Sequence, residues 1–161
     1  MILVSSCLLG NNVKYSGGNN AHALLMEYGK YLTPICPEGM GALTIPRPPA
    51  ELQGGDGRAV LAGAARVTNK DGLDITAHFV QGAELTGKLA AEHGVRAAIL
   101  KANSPSCGNW QIYDGSFTGK KIPGAGVTAA LLQQQGIAVY SEKEIDETLL
   151  VELLRADGAD I

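Results

Sequence analysis

The sequence has no apolar run near the ~20 residues a membrane-spanning helix needs, so no bilayer partner is expected. Aromatic residues make up only 5%, with a single Trp, and charged residues 18%. With 13 Lys and Arg against 16 Asp and Glu, the net charge is −3. There is thus no basic excess of the kind that marks a general nucleic-acid footprint. Only three histidines and three cysteines are present, and no Cys-x-x-Cys pair. An odd cysteine count excludes a complete disulfide set, and a four-ligand zinc knuckle has too few thiols. Internal repeats, low-complexity tracts and linkers are missing. Met1-Ile2-Leu3-Val4 lacks the basic region that opens a secretory signal, so the expected setting is cytoplasmic and reducing.

What is there fits one globular unit. The 161 residues, 45% of them hydrophobic, suit a single α/β domain over 1–161 with a sizeable core. Apolar runs at Ile2–Val4, Tyr31–Ile35, Arg96–Leu100 and Ile137–Tyr140 read as buried strands. Pro34 marks its run as an edge strand. Between them lie helices at about Ala21–Tyr28, with Asn19 or Asn20 as cap, at Asp74–Glu92, and from Gly126 to Gln135. Phe79, Val80, Ala83, Leu85, Leu89 and Ala90 form the expected apolar face of the second. Ser141 with Glu144 has the spacing of a capping box for a closing helix that ends near Ala156. Met40–Glu51, with Pro46-Arg47-Pro48-Pro49, reads as a stiff loop, and Arg58–Leu61 and Ala65–Thr68 as short β-like runs. Asp114-Gly115 between Trp110–Tyr113 and Ser116–Thr118 signals a hairpin. The expectation is a three-layer, Rossmann-like fold with a mostly parallel sheet and a small β-hairpin insertion.

Each cysteine follows the end of an expected strand: Cys7 the first, Cys36 the second, Cys107 the third. In a parallel sheet, ligands bind outside the carboxyl ends of the strands, so the three can converge although 29 and 71 residues separate them. Three buried hydrophobes, or one catalytic thiol with two bystanders, remain alternatives. A core Cys, however, needs neither Ser-Pro-Ser nor Pro-Glu-Gly beside it, and ligation is the favoured reading. Zinc held by three thiolates alone is unusual. A 4Fe-4S cluster takes four Cys, and with three it leaves one iron open as a Lewis acid. His22, His78 and His93 are read as solvated rather than ligating.

Four blocks carry a resemblance over nearly the whole chain. They are Val4-Ser5-Ser6-Cys7-Leu8-Leu9-Gly10; Pro34-Ile35-Cys36-Pro37-Glu38 with Ile45-Pro46-Arg47-Pro48-Pro49-Ala50-Glu51; Ile99 to Gly108; and Gly124-Ala125-Gly126-Val127-Thr128-Ala129. In this order they resemble the stand-alone thiouracil-desulfurase-like proteins, formerly a domain of unknown function. The resemblance implies a 4Fe-4S cluster on Cys7, Cys36 and Cys107, and a small thio-nucleobase such as thiouracil converted to uracil and sulfide. It also implies that Glu38 and Ser104 are catalytic. One departure, Glu38-Gly39-Met40-Gly41 where the family is often more apolar, bears on substrate choice. The residues themselves agree: removing sulfur by water requires a base, and Glu38 stands two residues from Cys36. Ser6, Arg47, Lys101 and Ser106 are candidate substrate contacts, and Gly124-Ala125-Gly126 at a helix start is a weak anion signal. Competing readings are a sulfur-transfer enzyme of the tRNA-thiolation kind and a non-enzymatic cluster-carrying redox module.

Overall fold

Runs of β-branched and aliphatic residues alternating with helical periodicity build the molecule, a computed structural model in which all 161 residues, Met1–Ile161, are described. In chain order the elements are β1 (Ile2–Ser5), α1 (Ala23–Glu27), β2 (Leu32–Ile35), α2 (Pro37–Met40), β3 (Ala50–Gln53), α3 (Gly57–Leu61) and β4 (Arg66–Asn69). There follow α4 (Thr76–Glu92), β5 (Ala97–Leu100), β6 (Gln111–Tyr113), β7 (Lys121–Pro123), α5 (Val127–Gln134), β8 (Ala138–Ser141) and α6 (Glu147–Ala156). The central sheet runs β2-β1-β5-β8, every pairing parallel. Pro34, which has no amide proton to give a second neighbour, lies on the edge strand β2 as expected.

Alternate residues of the strands feed two cores. Leu3, Ala98 and Leu100 pack with Ala90, Ala129, Ala130 and Leu132 of α4 and α5 on one face. Ile2, Val4, Ala97 and Ile99 pack with Leu25, Leu150 and Leu154 of α1 and α6 on the other. Those two faces make the three expected α/β/α layers. A third core holds Leu52, Val67, Phe79, Ile112 and Val127 beneath two small antiparallel sheets, β3-β4 and β6-β7. No helix is long and apolar enough to cross a membrane.

Several local expectations are corrected. Arg58–Leu61 is helical: Asp56 caps it, its carboxylate accepting from Ala59 N at 3.1 Å. The partner of β4 is Ala50–Gln53, whose first two residues are the end of the stretch read as loop. Asp114-Gly115 does not close a two-residue hairpin, because β6 pairs with Lys121–Pro123 and Ser116–Thr118 lies in the connecting loop. Leu85 is 40% exposed, since at 100° per residue it falls far from the stripe of Ala83 and Ala90. Ser141 N does donate to Glu144 Oε1 at 3.0 Å, but that box closes a turn. Asp146 caps the closing helix, accepting from Leu149 N at 2.8 Å. In α1, which starts later than expected, His22 rather than Asn19 or Asn20 occupies the cap position.

Candidate functional site

Three strand ends, each turned by a different device, present the cysteines. After β1 the chain enters a single 3-10 turn, Ser6–Leu9, that buries Cys7 and stops at Gly10, whose φ of 88° is open to glycine. After β2, Cys36 is the cap residue of α2, with Pro37 in the first helical position. After β5 the chain forms a tight turn in which Ser104 Oγ accepts from Ser106 N at 3.2 Å and Cys107 N at 3.1 Å. The start of α5 seizes that turn: Val127 N donates to Pro105 O at 2.9 Å and Ala129 N to Ser106 O at 3.0 Å. Gly126 N donates to Gly108 O at 2.8 Å. Of the Gly-Ala-Gly amides that the sequence suggested for an anion, Gly126 N is therefore spent on the loop that carries Cys107, and Gly124 N on Trp110 O at 2.8 Å.

All nine residues singled out by sequence, Cys7, Cys36, Cys107, Glu38, Ser104, Ser6, Arg47, Lys101 and Ser106, line one cavity of about 440 Å³. It opens at the carboxyl ends of the parallel strands. Within it Glu38, whose side chain is 17% exposed, is clamped: Arg47 Nε donates to its Oε1 at 3.2 Å and Ser106 Oγ to its Oε2 at 3.0 Å. Arg47 is 7% exposed, and its remaining nitrogens donate to Thr44 O at 3.1 Å and Val13 O at 3.2 Å. It thus ties two loops to the carboxylate, and its guanidinium faces protein on three sides. Lys101 pairs with Glu142 Oε2 at 2.9 Å while keeping 27% of its side chain exposed. Ser104 and Ser106 hydroxyls stand 3.1 Å apart, so hydroxyls lead in a row to Glu38. Ser6 Oγ accepts from Asn11 Nδ2 at 2.9 Å.

Two thiols sit in surroundings that oppose ionisation. Burial pushes the Cys107 thiol up to about 12, against the pull of the Ser5 and Ser106 hydroxyls. Burial also raises Cys7, opposed by a hydrogen bond from Asn20 Nδ2 at 3.4 Å and by the Lys101 charge. Cys36 is partly exposed, and Gly39 leaves room beside it: a Cβ there would stand 3.4 Å from the sulfur.

Sequence reasoning missed three members of the site. Ser5, buried at the end of β1, accepts from Lys101 N at 2.9 Å and so links two strands beneath Cys107. Asn20, read only as a helix cap, contacts Cys7. Glu51, buried to 8%, also lines the cavity. The signals were present, a Ser-Ser before Cys7 and an acid closing the Pro-rich block, but neither has a periodicity that announces it.

No three His, Cys, Asp and Glu side chains close on one point as a single metal ion requires. The thiols stand around a cavity wall, as a multi-atom group needs, and the all-thiol donor set suits iron and sulfide rather than a hard cation. The solvated reading holds only for His93, which is exposed: His22 Nδ1 is buried without a partner and His78 Nδ1 contacts Gly41 O at 2.6 Å, and none of the three lines the cavity.

A parallel sheet with three thiols and a clamped carboxylate around one cleft defines a thiol-walled small-molecule site on an α/β scaffold. Known proteins make the class specific. The model of the 2-thiouracil desulfurase family matches residues 2–144, and the chain belongs to that family. It is 46% identical to the uncharacterized protein YbbK of Bacillus subtilis (strain 168) over 151 residues, 92% of this chain and 100% of that protein. Among solved structures it resembles a 4Fe-4S-dependent thiouracil desulfidase, TudS, at 42% identity and a TM-score of 0.80, covering 94% of this chain and 97% of that one.

Proposed function

We propose that the protein hydrolyses the carbon–sulfur bond of a thio-nucleobase such as thiouracil, giving uracil and hydrogen sulfide, with a 4Fe-4S cluster held by Cys7, Cys36 and Cys107. The observation that carries this reading is the placing of three thiols from three strand ends around one cavity with Glu38. The likeness to a desulfidase that depends on such a cluster supports it. Bound there, the cluster supplies a thiophilic iron with an open position, a Lewis acid for the carbon–sulfur bond.

The chain supplies the proton handling. Water attacks the carbon bearing sulfur and one of its protons passes to a Glu38 carboxylate oxygen. The carbon–sulfur bond then breaks as the new hydroxyl becomes a carbonyl. The Glu38 proton and the hydroxyl proton both leave with the sulfur as hydrogen sulfide, so no reductant or ATP enters the balance. Arg47 and Ser106 hold that carboxylate by one oxygen each, fixing its plane while leaving lone pairs for the water proton. Ser104 Oγ already accepts two amide protons, so its own hydroxyl proton is what it has to offer, to Ser106 or to the substrate. Lys101 lines the cavity, and in this reading the proton that its ammonium does not give to Glu142 or Ala102 O goes to a ring carbonyl. Three free cysteines suit a reducing, cytoplasmic setting.

The test is sulfide release from 2- or 4-thiouracil by anaerobically reconstituted protein, without ATP or reductant. Glu38→Gln keeps the shape but cannot take the proton; it should retain iron and lose about 10²–10⁴-fold in turnover, the usual worth of a positioned base. Undiminished turnover in that variant removes Glu38 from the mechanism. A loaded protein inert towards every thio-nucleobase moves the reading to sulfur transfer.

A further inference from the structure

Glu51 is a buried carboxylate whose charge the chain answers on one side only. At 8% exposure it belongs to none of the four ion pairs in the molecule. Its Oε1 accepts from two backbone amides, Gly115 N at 2.9 Å and Phe117 N at 3.2 Å. Both donors sit in left-handed backbone, at φ of 95° and 57°, and both amides meet the one carboxylate oxygen. Gly115 has no room for a side chain: a Cβ would lie 2.6 Å from Leu52 O and 2.7 Å from Gln53 Oε1. Gln53 Nε2 donates to Gly115 O at 2.6 Å and locks the same loop.

The second oxygen, Oε2, makes no hydrogen bond in the fold. Nor is it sealed away like His22 Nδ1, Asn109 Oδ1 and Thr128 Oγ1, the polar atoms buried without a partner. Glu51 lines the same cavity as the three thiols, and Tyr113 and Phe117 line it too. An acceptor left free in a mostly enclosed wall costs stability unless something donates to it. Beside aromatic rings, the matching chemistry is a flat heterocycle with an N–H on its edge, as the N–H next to C=S in a thiolactam provides.

We propose that Glu51 is a specificity-determining residue that accepts a hydrogen bond from a ring N–H of the thio-nucleobase. The inference rests on the substrate reading above and adds to it the edge of the ring that is read. A ring methylated on that nitrogen loses the donor and leaves Oε2 unpaired, so the site rejects it.

Glu51→Gln isolates the interaction, because its Oε1 can still serve Gly115 and Phe117 while its second terminal atom becomes a donor. Loaded wild type and Glu51→Gln are compared on 4-thiouracil and on its 1-methyl and 3-methyl derivatives, none of which carries a sugar hydroxyl. The variant should lose about 10–100-fold in kcat/KM on 4-thiouracil, chiefly through KM, the worth of a hydrogen bond to a charged group. One of the two methylations should cost wild type about 10-fold or more beyond what it costs the variant, a coupling that a mere clash cannot produce. Equal penalties in both proteins overturn the proposal. Iron content and Tm of the variant report whether the loop survives. If it does not, wild type alone decides by calorimetry. Uracil should bind about 10-fold or more tightly than 1,3-dimethyluracil, and equal affinities overturn the assignment. Because uracil binding needs no turnover, a protein that binds uracil in this way yet releases no sulfide refutes the desulfurase reading and leaves Glu51 in place.

Discussion

Replacing Arg47 with Ala should destabilise the protein more than any surface change, and the size follows from what the guanidinium touches. Its side chain is 7% exposed and its three nitrogens donate to Glu38 Oε1, Thr44 O and Val13 O at 3.1–3.2 Å. The truncation leaves a mostly buried carboxylate without its cation and two carbonyls without their donor. Breaking a buried pair on one side costs about 3–5 kcal/mol, and each carbonyl left dry would add about 1–3 kcal/mol. The adjoining cavity lets water reach the freed groups, so the lower figure, about 3–5 kcal/mol in total, is the expectation. For a chain of this length that is a fall in Tm of about 6–20 °C. Calorimetry or urea unfolding of cluster-free protein measures it without involving turnover. Adding Glu38→Gln to Arg47→Ala should recover part of the loss, because the stranded charge is then gone. A cost below about 1 kcal/mol for Arg47→Ala, the range of surface ion pairs, or a double variant no more stable than the single, would refute the clamp.

Other outcomes follow from the same geometry. Cys7→Ser, Cys36→Ser and Cys107→Ser should each abolish or cripple iron binding and the broad absorption of a thiolate-ligated cluster, whereas full iron content in any one of them removes that ligand from the assignment. Gly82→Ala lies outside the cavity, yet a Cβ there collides with the Pro37 carbonyl, as one on Gly41 does with His78 O, so α2 must move off α4. Cys36 and Glu38 move with it, and iron retention should fall along with Tm. In cluster-free protein the Cys107 thiol rises from its ordinary 9.0 to about 12 on folding, so above pH 9 the unfolded chain binds fewer protons than the native one. Stability should then decline between pH 9 and 12, by up to about 1.4 kcal/mol per unit. Cys107→Ser should flatten that decline, and an unchanged alkaline slope in the variant assigns it elsewhere.

Much of this protein was legible in one dimension, because its governing signals are local. Short apolar runs marked all four strands of the parallel sheet, and the edge position of β2 followed from the amide that Pro34 lacks. The place of a cysteine after a strand end is likewise a local fact, and the handedness and direction of parallel sheets turn three such facts into one site. Local signals also misled where a longer contact overruled them. Asp114-Gly115 has hairpin chemistry, but Gly115 is drawn onto Glu51 and Gln53 instead of closing a two-residue turn. Arg58–Leu61 has strand-like composition, but Asp56 caps it as a helix.

What the sequence by itself determined is the layered α/β scaffold, the carboxyl-end location of the site and its thiol, hydroxyl and carboxylate inventory. Only the tertiary structure decided how that inventory is shared. It gave Arg47 to Glu38, Lys101 to Glu142, Ser106 to a carboxylate 68 residues away and Ser5 to an amide 96 residues away. It also set Glu51 in the cavity wall with one oxygen free of hydrogen bonds. The physical reason is that a side chain's partner is chosen by which buried groups lack one after the backbone has closed, and that shortage exists only in three dimensions.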